Sequence, residues 1–333
     1  MCINVPSISV VIPTFNSERT LSMCLDSITE QDYPKSKIEI IIVDGGSTDR
    51  TLKIVKKYDI LNVYYNPLRT GESGKSLGVK HSNNDLVALI DSDNILPQKD
   101  WMKIMVKPFE KPTVVGVEPI RYTYRLNDPL ISRYCALIGM NDVLCLYFGN
   151  YDRYSYLTNT WTGLDIPTIN KPEYLLVELN DRNIPTMGAN GFIIRKICFD
   201  QIKFSPYLFD VDVIYQLIKH NYNHFAKIKI GIIHLYAFTL NSYMKKTFRR
   251  IKEHSYYSSL NLRLYPWSHF RRKHLAKFIL DTLLIFPLVK DSLAAYSKIP
   301  DKALFFHPIA CWLTLLIYGT FSIFSELFGV GKK

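Results

Sequence analysis

The chain has 333 residues, of which 47% are apolar and 21% are charged, so it can form one large domain or two small ones with a hydrophobic core. This composition excludes a disordered polymer, a collagen-like repeat and a small disulfide-stapled protein. The net charge is +11, and residues 245–277 alone carry +9, because ten Lys and Arg residues stand there against Glu253.

The six cysteines are scattered without a C-x-x-C spacing. This pattern indicates neither a zinc knuckle nor a redox pair and favours a reduced catalytic part in the cytoplasm. We expect no secretory signal before the fold, because residues 7–13 already have the pattern of a strand. No nucleic-acid-binding pattern accompanies the basic segment, so nucleic acid is not an expected partner.

The first 118 residues alternate apolar strands with helical patterns. The predicted strands are residues 7–13, 38–43, 62–65, 86–90 and 113–117. Helices are predicted to begin with caps at Ser17 and Ser47, and another over residues 101–109. This alternation predicts an α/β fold with a doubly wound, mostly parallel sheet, which binds ligands at the carboxyl ends of its strands.

Polar side chains follow several of these strands: Asn16 after the first, Asp44 after the second, and Asp91 and Asp93 after the fourth. In extended backbone, Asp91 and Asp93 share one side and can reach one hard divalent cation. Such a cation would neutralise a diphosphate, the leaving group of a nucleotide sugar. Taken alone, the D-x-D spacing also fits a solvated loop, and residues 44–49 (DGGSTD) also fit a glycine turn followed by a helix cap.

A phosphate-binding P-loop is another interpretation of residues 71–76 (GESGKS). That pattern requires glycine at position 69, where the chain has Arg69. An NTPase is therefore disfavoured.

The C-terminal part is first basic and then apolar. Residues 303–325 contain no Asp, Glu, Lys or Arg, and at about 1.5 Å per residue they can cross a hydrocarbon core of about 30 Å. The shorter run 278–289 fits an in-plane or re-entrant helix, and the two runs could also form a hairpin. Two buried helices of a soluble subdomain are the alternative. The basic segment favours the membrane, since each Lys or Arg near anionic lipid contributes on the order of 1 kcal/mol.

Four segments together resemble the family 2 glycosyltransferases of the GT-A fold. They are residues 11–16 (VIPTFN), 42–49 (IVDGGSTD), 71–78 (GESGKSLG) and 89–93 (LIDSD). The resemblance covers about residues 5–118 and 186–236, which is about half of the chain. It implies an inverting transfer from a nucleotide-diphosphate sugar, with Mg²⁺ or Mn²⁺ as cofactor.

The resemblance also implies roles for individual residues on the donor side. The donor-binding residues would be Pro13, Thr14, Asn16, Asp44, Lys75 and Asp91. The metal would be held by Asp93, by Asp91 and by His234, which follows the strand-like run 228–233. Lys75 and Ser76 stand where the family more often has Arg-Asn, and Gly45 replaces a second acidic residue.

On the acceptor side, residues 187–195 look like the glycine-rich segment of the family. The acceptor-binding residues would be Gly188, Ala189, Asn190 and Gly191. By register, Asp212 would be the general base that takes the proton of an acceptor hydroxyl, and Asp210 is the substitute candidate. The usual acid before that aspartate is Val211 here, and a helix N-cap would explain one of the two aspartates but hardly both.

We expect four parts along the chain. They are a nucleotide-sugar-binding half (1–118), an acceptor-binding half of the same catalytic domain (119–240), a basic juxtamembrane helical segment (241–277) and membrane-associated apolar helices (278–333, with 303–325 crossing). Residues 120–185 match no pattern, although they are rich in aromatic side chains.

The expected acceptor follows from the predicted base. A phosphate acceptor is already anionic, whereas a hydroxyl needs a base, so Asp212 favours a saccharide or lipid-linked saccharide at the cytoplasmic face of the cell membrane. The expected partners are therefore a nucleotide-diphosphate sugar, this acceptor and membrane lipids. A polyprenyl- or dolichyl-phosphate glycosyltransferase and a membrane-anchored binding module with a degenerate site are the alternatives.

Overall fold

The computed structural model describes residues 5–266 and 272–328. The chain divides into two compact units: Met1–Ile120 with Asp165–His234, and Arg121–Leu164 with Leu235–Lys333. The basic segment and the apolar helices belong to the second unit. Residues 121–164 also belong to it, although the sequence placed them in the acceptor-binding half.

A ten-stranded mixed sheet forms the body of the first unit. Its strands are β1 (Ile8–Thr14), β2 (Ile38–Asp44), β3 (Asn62–Tyr65), β4 (Leu86–Leu89), β5 (Asn94–Ile95), β6 (Gly116–Thr123), β7 (Thr168–Asn170), β8 (Tyr174–Glu178), β9 (Phe192–Arg195) and β10 (His224–His234). They are ordered β3-β2-β1-β4-β9-β6-β10-β8-β7, with β5 paired to β10.

The sheet is parallel in one half only. β1 pairs in parallel with β2 and β4, and β2 pairs in parallel with β3. In contrast, β9 is antiparallel to β4 and to β6, and β10 is antiparallel to β8 and β5. The predicted doubly wound arrangement therefore holds for β1 to β4. The sheet as a whole is mixed rather than mostly parallel, because β9 and the strands that follow it in the sheet order form antiparallel pairs.

The α-helices are α1 (Leu21–Thr29), α2 (Thr51–Lys56), α3 (Gly71–His81), α4 (Trp101–Val106), α5 (Leu130–Ile138), α6 (Leu144–Phe148), α7 (Asp210–Lys219), α8 (Leu240–Ser259), α9 (Arg272–Leu284), α10 (Phe286–Tyr296) and α11 (His307–Phe328). Short 3₁₀ turns extend some of them, including Lys107–Glu110 after α4 and Lys302–Phe306 before α11.

Helix α3 packs closely on β1, and this contact positions the start of the helix. A Cβ atom at Gly78 would lie 2.2 Å from Cγ1 of Val11, which is 0% exposed, so only glycine lets the helix approach this closely. Near the helix start, a Cβ at Gly74 would lie 2.8 Å from Cβ of Pro13. The first turns of α3 are thereby held against the carboxyl end of β1.

Three predicted boundaries are wrong. The N-cap of α1 is Thr20 rather than Ser17. Helix α2 begins only at Thr51, because the hydroxyl of Ser47 donates to Asp44 and does not cap a helix there. The strand predicted over 113–117 is β6, which starts at 116 and runs to 123.

The second unit is helical and has its own apolar core. The core residues come from α5, α8, α9, α10 and α11, and include Tyr134, Tyr243, Phe278, Leu288 and Cys311. In the described part of the chain, Lys302–Ile323 is the stretch long and apolar enough to cross a membrane by length and composition, and 33% of its most apolar window is buried in the protein.

Candidate functional site

The carboxyl ends of β1, β2 and β4 lie side by side, as the parallel order predicts. Thr14 at the end of β1 is paired in register with Asp44 at the end of β2. The hydroxyl of Ser17, which follows β1, lies 2.9 Å from the hydroxyl of Ser92, which follows β4. The residues predicted after these three strands therefore meet at one edge of the sheet.

Asp44 organises the turn that follows β2. Its Oδ2 accepts from the backbone N of Gly46 at 2.9 Å and of Ser47 at 2.8 Å, and its Oδ1 accepts from the hydroxyl of Ser47 at 2.6 Å and of Thr14 at 3.0 Å. The side chain is buried, with 4% of Asp44 exposed. Both carboxylate oxygens thus accept hydrogen bonds from the protein itself, and Asp44 ties the turn after β2 to the end of β1.

Asn16 joins the segments that follow β1 and β2. Its backbone has a positive φ of 49°, which asparagine tolerates better than most residues. Its N donates to the hydroxyl of Ser47 at 2.8 Å, and its Oδ1 accepts from the N of Thr48 at 2.9 Å. Asn16 itself remains exposed at the rim of this edge.

Lys75 is a buried cation between two carboxylates. Its Nζ donates to Asp210 Oδ1 at 3.0 Å and to Oδ2 at 3.3 Å, and it lies 3.9 Å from Asp91 Oδ1. Burial lowers the pKa of Lys75, but the carboxylates of Asp210 and Asp91 raise it more, so the net pKa lies above its ordinary value. The ammonium group therefore stays charged across the physiological pH range.

Asp210 is the first residue of α7 and has an unusual pKa. Burial raises this pKa to about 7, the nearby ammonium of Lys75 opposes the rise, and the carboxylate of Asp91 adds to it. Its side chain is 30% exposed, so it can still be reached from solvent. Such a carboxyl group gains or loses its proton near neutral pH, which is what a general base needs.

Asp212 lies in the first turn of the same helix and is 3% exposed. The structure therefore brings Asp210 to Lys75 and Asp91, and it buries Asp212. The sequence register favours Asp212 as the general base and gives Asp210 as the substitute. Accessibility favours Asp210 instead.

Asp93 faces a different partner from Asp91. Its Oδ1 lies 3.4 Å from Nε2 of His234, the last residue of β10. The backbone from Asp91 to Asp93 turns instead of remaining extended, which explains why the two carboxylates meet Lys75 and His234 respectively.

The expected divalent cation would need several oxygen or nitrogen ligands at this edge of the sheet. In the described residues, no group of three or more His, Cys, Asp and Glu side chains is arranged to hold a metal ion. Asp91, Asp93 and His234 nevertheless offer carboxylate oxygens and one imidazole, which suit Mn²⁺ or Mg²⁺. Mg²⁺ in particular is usually bound by one or two carboxylates together with substrate phosphates and water, so this donor set fits.

The predicted acceptor segment is fixed at three points within the first unit. The N of Gly188 donates to Glu118 Oε1 at 3.1 Å, and the N of Gly191 donates to the backbone O of Leu89 at 2.9 Å. Between them, Asn190 Oδ1 accepts from Nδ2 of Asn94 at 3.0 Å. Ala189 lies half-buried in this segment.

Gly188 also lies against Asp210. Its φ is +114°, and a Cβ atom there would lie 3.0 Å from Cβ of Asp210. Asp210 at the start of α7 therefore contacts both Gly188 of the acceptor segment and Lys75.

Sequence reasoning missed two charged residues that support this segment. Glu118 on β6 and Lys227 on β10 are both 0% exposed, and Lys227 Nζ donates to Glu118 Oε2 at 2.7 Å. The available signal was a charged residue among the apolar residues of a strand, because such a charge is seldom buried without a partner.

The family model described as "Glycosyl transferase family 2" matches residues 9–175. This match includes the ends of β1, β2 and β4 and the Lys75 turn of α3.

Two curated relatives illustrate the similarity. The chain is 33% identical over 121 residues to the dolichyl N-acetyl-alpha-D-glucosaminyl phosphate 3-beta-D-2,3-diacetamido-2,3-dideoxy-beta-D-glucuronosyltransferase of Methanococcus voltae, covering 33% of this chain and 37% of that protein. It is 30% identical over 147 residues to the glycosyltransferase AglE of Haloferax volcanii, covering 42% of this chain and 48% of that protein. The chain thus spans less than half the length of either relative.

Among solved structures, the mannosyltransferase PcManGT from Pyrobaculum calidifontis, in complex with GDP-Man and Mn²⁺, is similar with a TM-score of 0.55 and 16% identity. The alignment covers 99% of this chain and 89% of that one. At this identity, the likeness shows a shared fold.

Proposed function

The chain belongs to glycosyl transferase family 2, and we propose that it transfers a sugar, with inversion, from a nucleotide-diphosphate sugar to a hydroxyl of a saccharide or lipid-linked saccharide. The observation that carries this proposal is the buried Lys75, placed between Asp91 and Asp210 where the parallel strands end. It supplies a fixed positive charge for a diphosphate beside a carboxylate that can act as a base.

On the donor side, Lys75 would contact the diphosphate as a point charge. Thr14, Asp44 and Asn16 are joined by hydrogen bonds around the turn after β2, and this turn would form the wall of the nucleotide pocket. Pro13 near the end of β1 packs against Gly74 of α3, next to this turn. Because this wall is held by internal bonds, it needs little rearrangement when the donor binds.

Asp93, Asp91 and His234 would hold the divalent cation. When bound, such a cation stabilises the negative charge that develops on the departing diphosphate. His234 is buried at the end of β10 and lies 3.4 Å from Asp93, so it would orient Asp93 toward that position.

For the proton transfer we propose Asp210 in place of Asp212. Asp210 is more accessible, it sits beside Gly188 of the acceptor segment, and its pKa of about 7 matches the work of a base at neutral pH. A deprotonated Asp210 would accept the proton of the acceptor hydroxyl while the Gly188–Gly191 segment orients the acceptor.

The acceptor class is supported by the base proposed above and by the name of one relative. The Methanococcus voltae protein is named for an acceptor that is a dolichyl-linked sugar phosphate and for attachment at position 3. A lipid-linked acceptor also agrees with an apolar, basic second unit, so we place the reaction at the cytoplasmic face of the cell membrane.

The test is a panel of UDP- and GDP-sugars, each assayed with Mn²⁺ for binding by calorimetry and for transfer to saccharide and to polyprenyl-phosphate acceptors. We expect one nucleotide class to bind only with the metal, and Asp93→Ala to abolish this binding. Asp32→Ala, which removes an exposed carboxylate paired with Lys103, is the matched control and should bind as wild type. Transfer to a polyprenyl phosphate but not to a saccharide would overturn the hydroxyl acceptor. Absence of any metal-dependent nucleotide binding would overturn the enzyme assignment.

A further inference from the structure

Helices α9 and α10 bury polar side chains in the interior of the second unit. The inward side of α9 carries Asp281 and Thr282 beside Phe278, and these residues are 9%, 0% and 2% exposed. On α10, Ser292 is 0% exposed, and its hydroxyl donates to the backbone O of Leu288 at 2.9 Å. In a water-soluble protein, the polar side of a helix normally faces the solvent. Asp281, Thr282 and Ser292 face the interior instead.

The outward side of the same helices is apolar where they meet. The corner surface, as we call it, consists of Ile279, Leu280, Leu283, Leu284, Ile285 and Phe286. Leu284 is 59% exposed and Phe286 is 74% exposed. Large contiguous apolar patches on a protein surface mark a contact with another protein or with a membrane.

Exposed charged residues precede and follow the corner surface in the sequence. Arg272, Lys273 and Lys277 are exposed on the first part of α9, and Lys290 and Asp291 are exposed on α10 just after the corner. At about 1.5 Å per residue, Lys277 and Leu284 are about 10 Å apart along the helix. An interfacial helix buries its apolar side about 5–10 Å into the boundary between head groups and acyl chains, so basic residues at this spacing before the corner can stay at the head groups while the corner enters that boundary.

The charge distribution favours anionic lipid over a second copy of this chain. The segment 245–277 carries ten basic residues and one acidic residue, and it ends on α9 itself. Two copies that met through their corner surfaces would bring these like charges together. Anionic head groups would attract them instead.

One side of helix α11 packs against the rest of the second unit. Its inward stripe includes His307 and Thr314, which are 0% and 1% exposed. His307 Nδ1 lies 2.9 Å from Oη of Tyr134, and Oη of Tyr318 donates to Asp142 at 2.6 Å. An isolated crossing by this helix would have to break these contacts, whereas insertion of the corner surface breaks none of them.

We propose that the corner surface inserts into the acyl layer of an anionic membrane as a wedge, with the basic start of α9 at the head groups. This inference rests on the proposed function, since a lipid-linked acceptor would be met at that membrane. It goes further by assigning the attachment to α9 and α10.

The experiment is flotation of the full-length protein with vesicles of phosphatidylcholine and phosphatidylglycerol. We expect the wild type to float with these vesicles and Leu284→Gln/Phe286→Gln to lose at least tenfold in partitioning. The matched control is Leu126→Gln/Leu130→Gln, which also removes two exposed leucines of the second unit, 83% and 47% exposed, outside the corner surface. This control should float as the wild type does, and circular dichroism checks that all three proteins are folded.

Equal flotation of the corner variant and the wild type would overturn the proposal. So would a wild type that is dimeric by light scattering without lipid and becomes monomeric in the corner variant, because the occupant would then be a second copy. Mn²⁺-dependent binding of UDP and GDP is measured on the same preparations. If the wild type does not bind either nucleotide, the proposed function is contradicted, but the flotation result still tests membrane insertion. If the wild type binds nucleotide normally but does not float, only the proposed membrane insertion is contradicted.

Discussion

Two aspartates of one helical turn have different surroundings. Asp210 meets Lys75 and is 30% exposed in its side chain, whereas Asp212 is 3% exposed. Their sequence neighbourhood is nearly the same, since both precede a valine in the run DVDV. The difference in their surroundings therefore comes from the direction in which the start of α7 faces Lys75 and Gly188.

We expect Asp210→Asn to lower the rate of donor hydrolysis or transfer at least a hundredfold, and Asp212→Asn to change it much less. A carboxyl acts as a base only when it is deprotonated, so the rate of the wild type should fall as the pH drops through about 7. A cation bound near Asp91 neutralises a carboxylate that helps to raise this pKa, so with Mn²⁺ the midpoint should lie at or below that value.

The measurement is a pH profile of kcat/KM for both variants with the nucleotide sugar that the panel identifies. Asp212→Asn should keep the acid limb of the wild type. If Asp210→Asn has the wild-type rate and profile while Asp212→Asn is inactive, the base is Asp212, as the register alone suggested.

At the scale of elements, α3 packs closely on β1. Gly78 makes it possible, because Val11 is stiff at χ1 and fully buried on β1. This contact holds the start of α3, and with it Lys75, at the end of the strand. The expected GT-A fold of this family is confirmed in these elements, with an antiparallel second half.

We expect Gly78→Ala to destabilise the protein by about 1–3 kcal/mol, because the added methyl group overpacks against Val11. Gly71→Ala is the matched control on the same helix, since a Cβ there meets no atom within 4 Å. Its free energy of unfolding should change by less than about 0.5 kcal/mol. Chemical denaturation measures both, and equal stabilities of the two variants would contradict the close packing.

At the scale of the whole molecule, the site depends on residues far apart in the chain. Glu118 on β6 bonds both to Lys227 on β10 and to the backbone of Gly188, so three distant segments meet at one buried carboxylate. The charge is also unevenly divided, because the basic segment 245–277 belongs to the second unit while the buried ion pairs of the site belong to the first.

We expect Lys227→Met to cost about 3–5 kcal/mol of folding free energy, because it leaves the charge of Glu118 buried without its cation. In Glu118→Gln/Lys227→Met the charge is gone and an acceptor for Gly188 is kept, so most of this loss should be recovered. Urea denaturation of the two proteins provides the comparison. A double variant no more stable than Lys227→Met would show that the buried charge is not the cause.

The sequence by itself determined the parallel half of the sheet and the polar residues at its strand ends. These features are local, since a β-branched apolar run followed by Gly, Asn or Asp predicts a buried strand and its turn without reference to the rest of the chain. Cap positions such as Ser17 and Ser47 were wrong for the converse reason, because their hydroxyls bond to Ser92 and to the backbone N of Asn16, which are distant in the chain.

Only the tertiary structure decided which of these residues lie together. Lys75 and Asp210 are separated by 135 positions, and Glu118 and Lys227 by 109, so no local pattern relates them. Their contacts depend on the antiparallel order of β9, β6 and β10 and on the entry of α7, which strand and helix alternation does not specify. The proposed choice of Asp210 over Asp212 and the outward apolar corner of α9 and α10 rest on burial, and burial is a property of the packed chain.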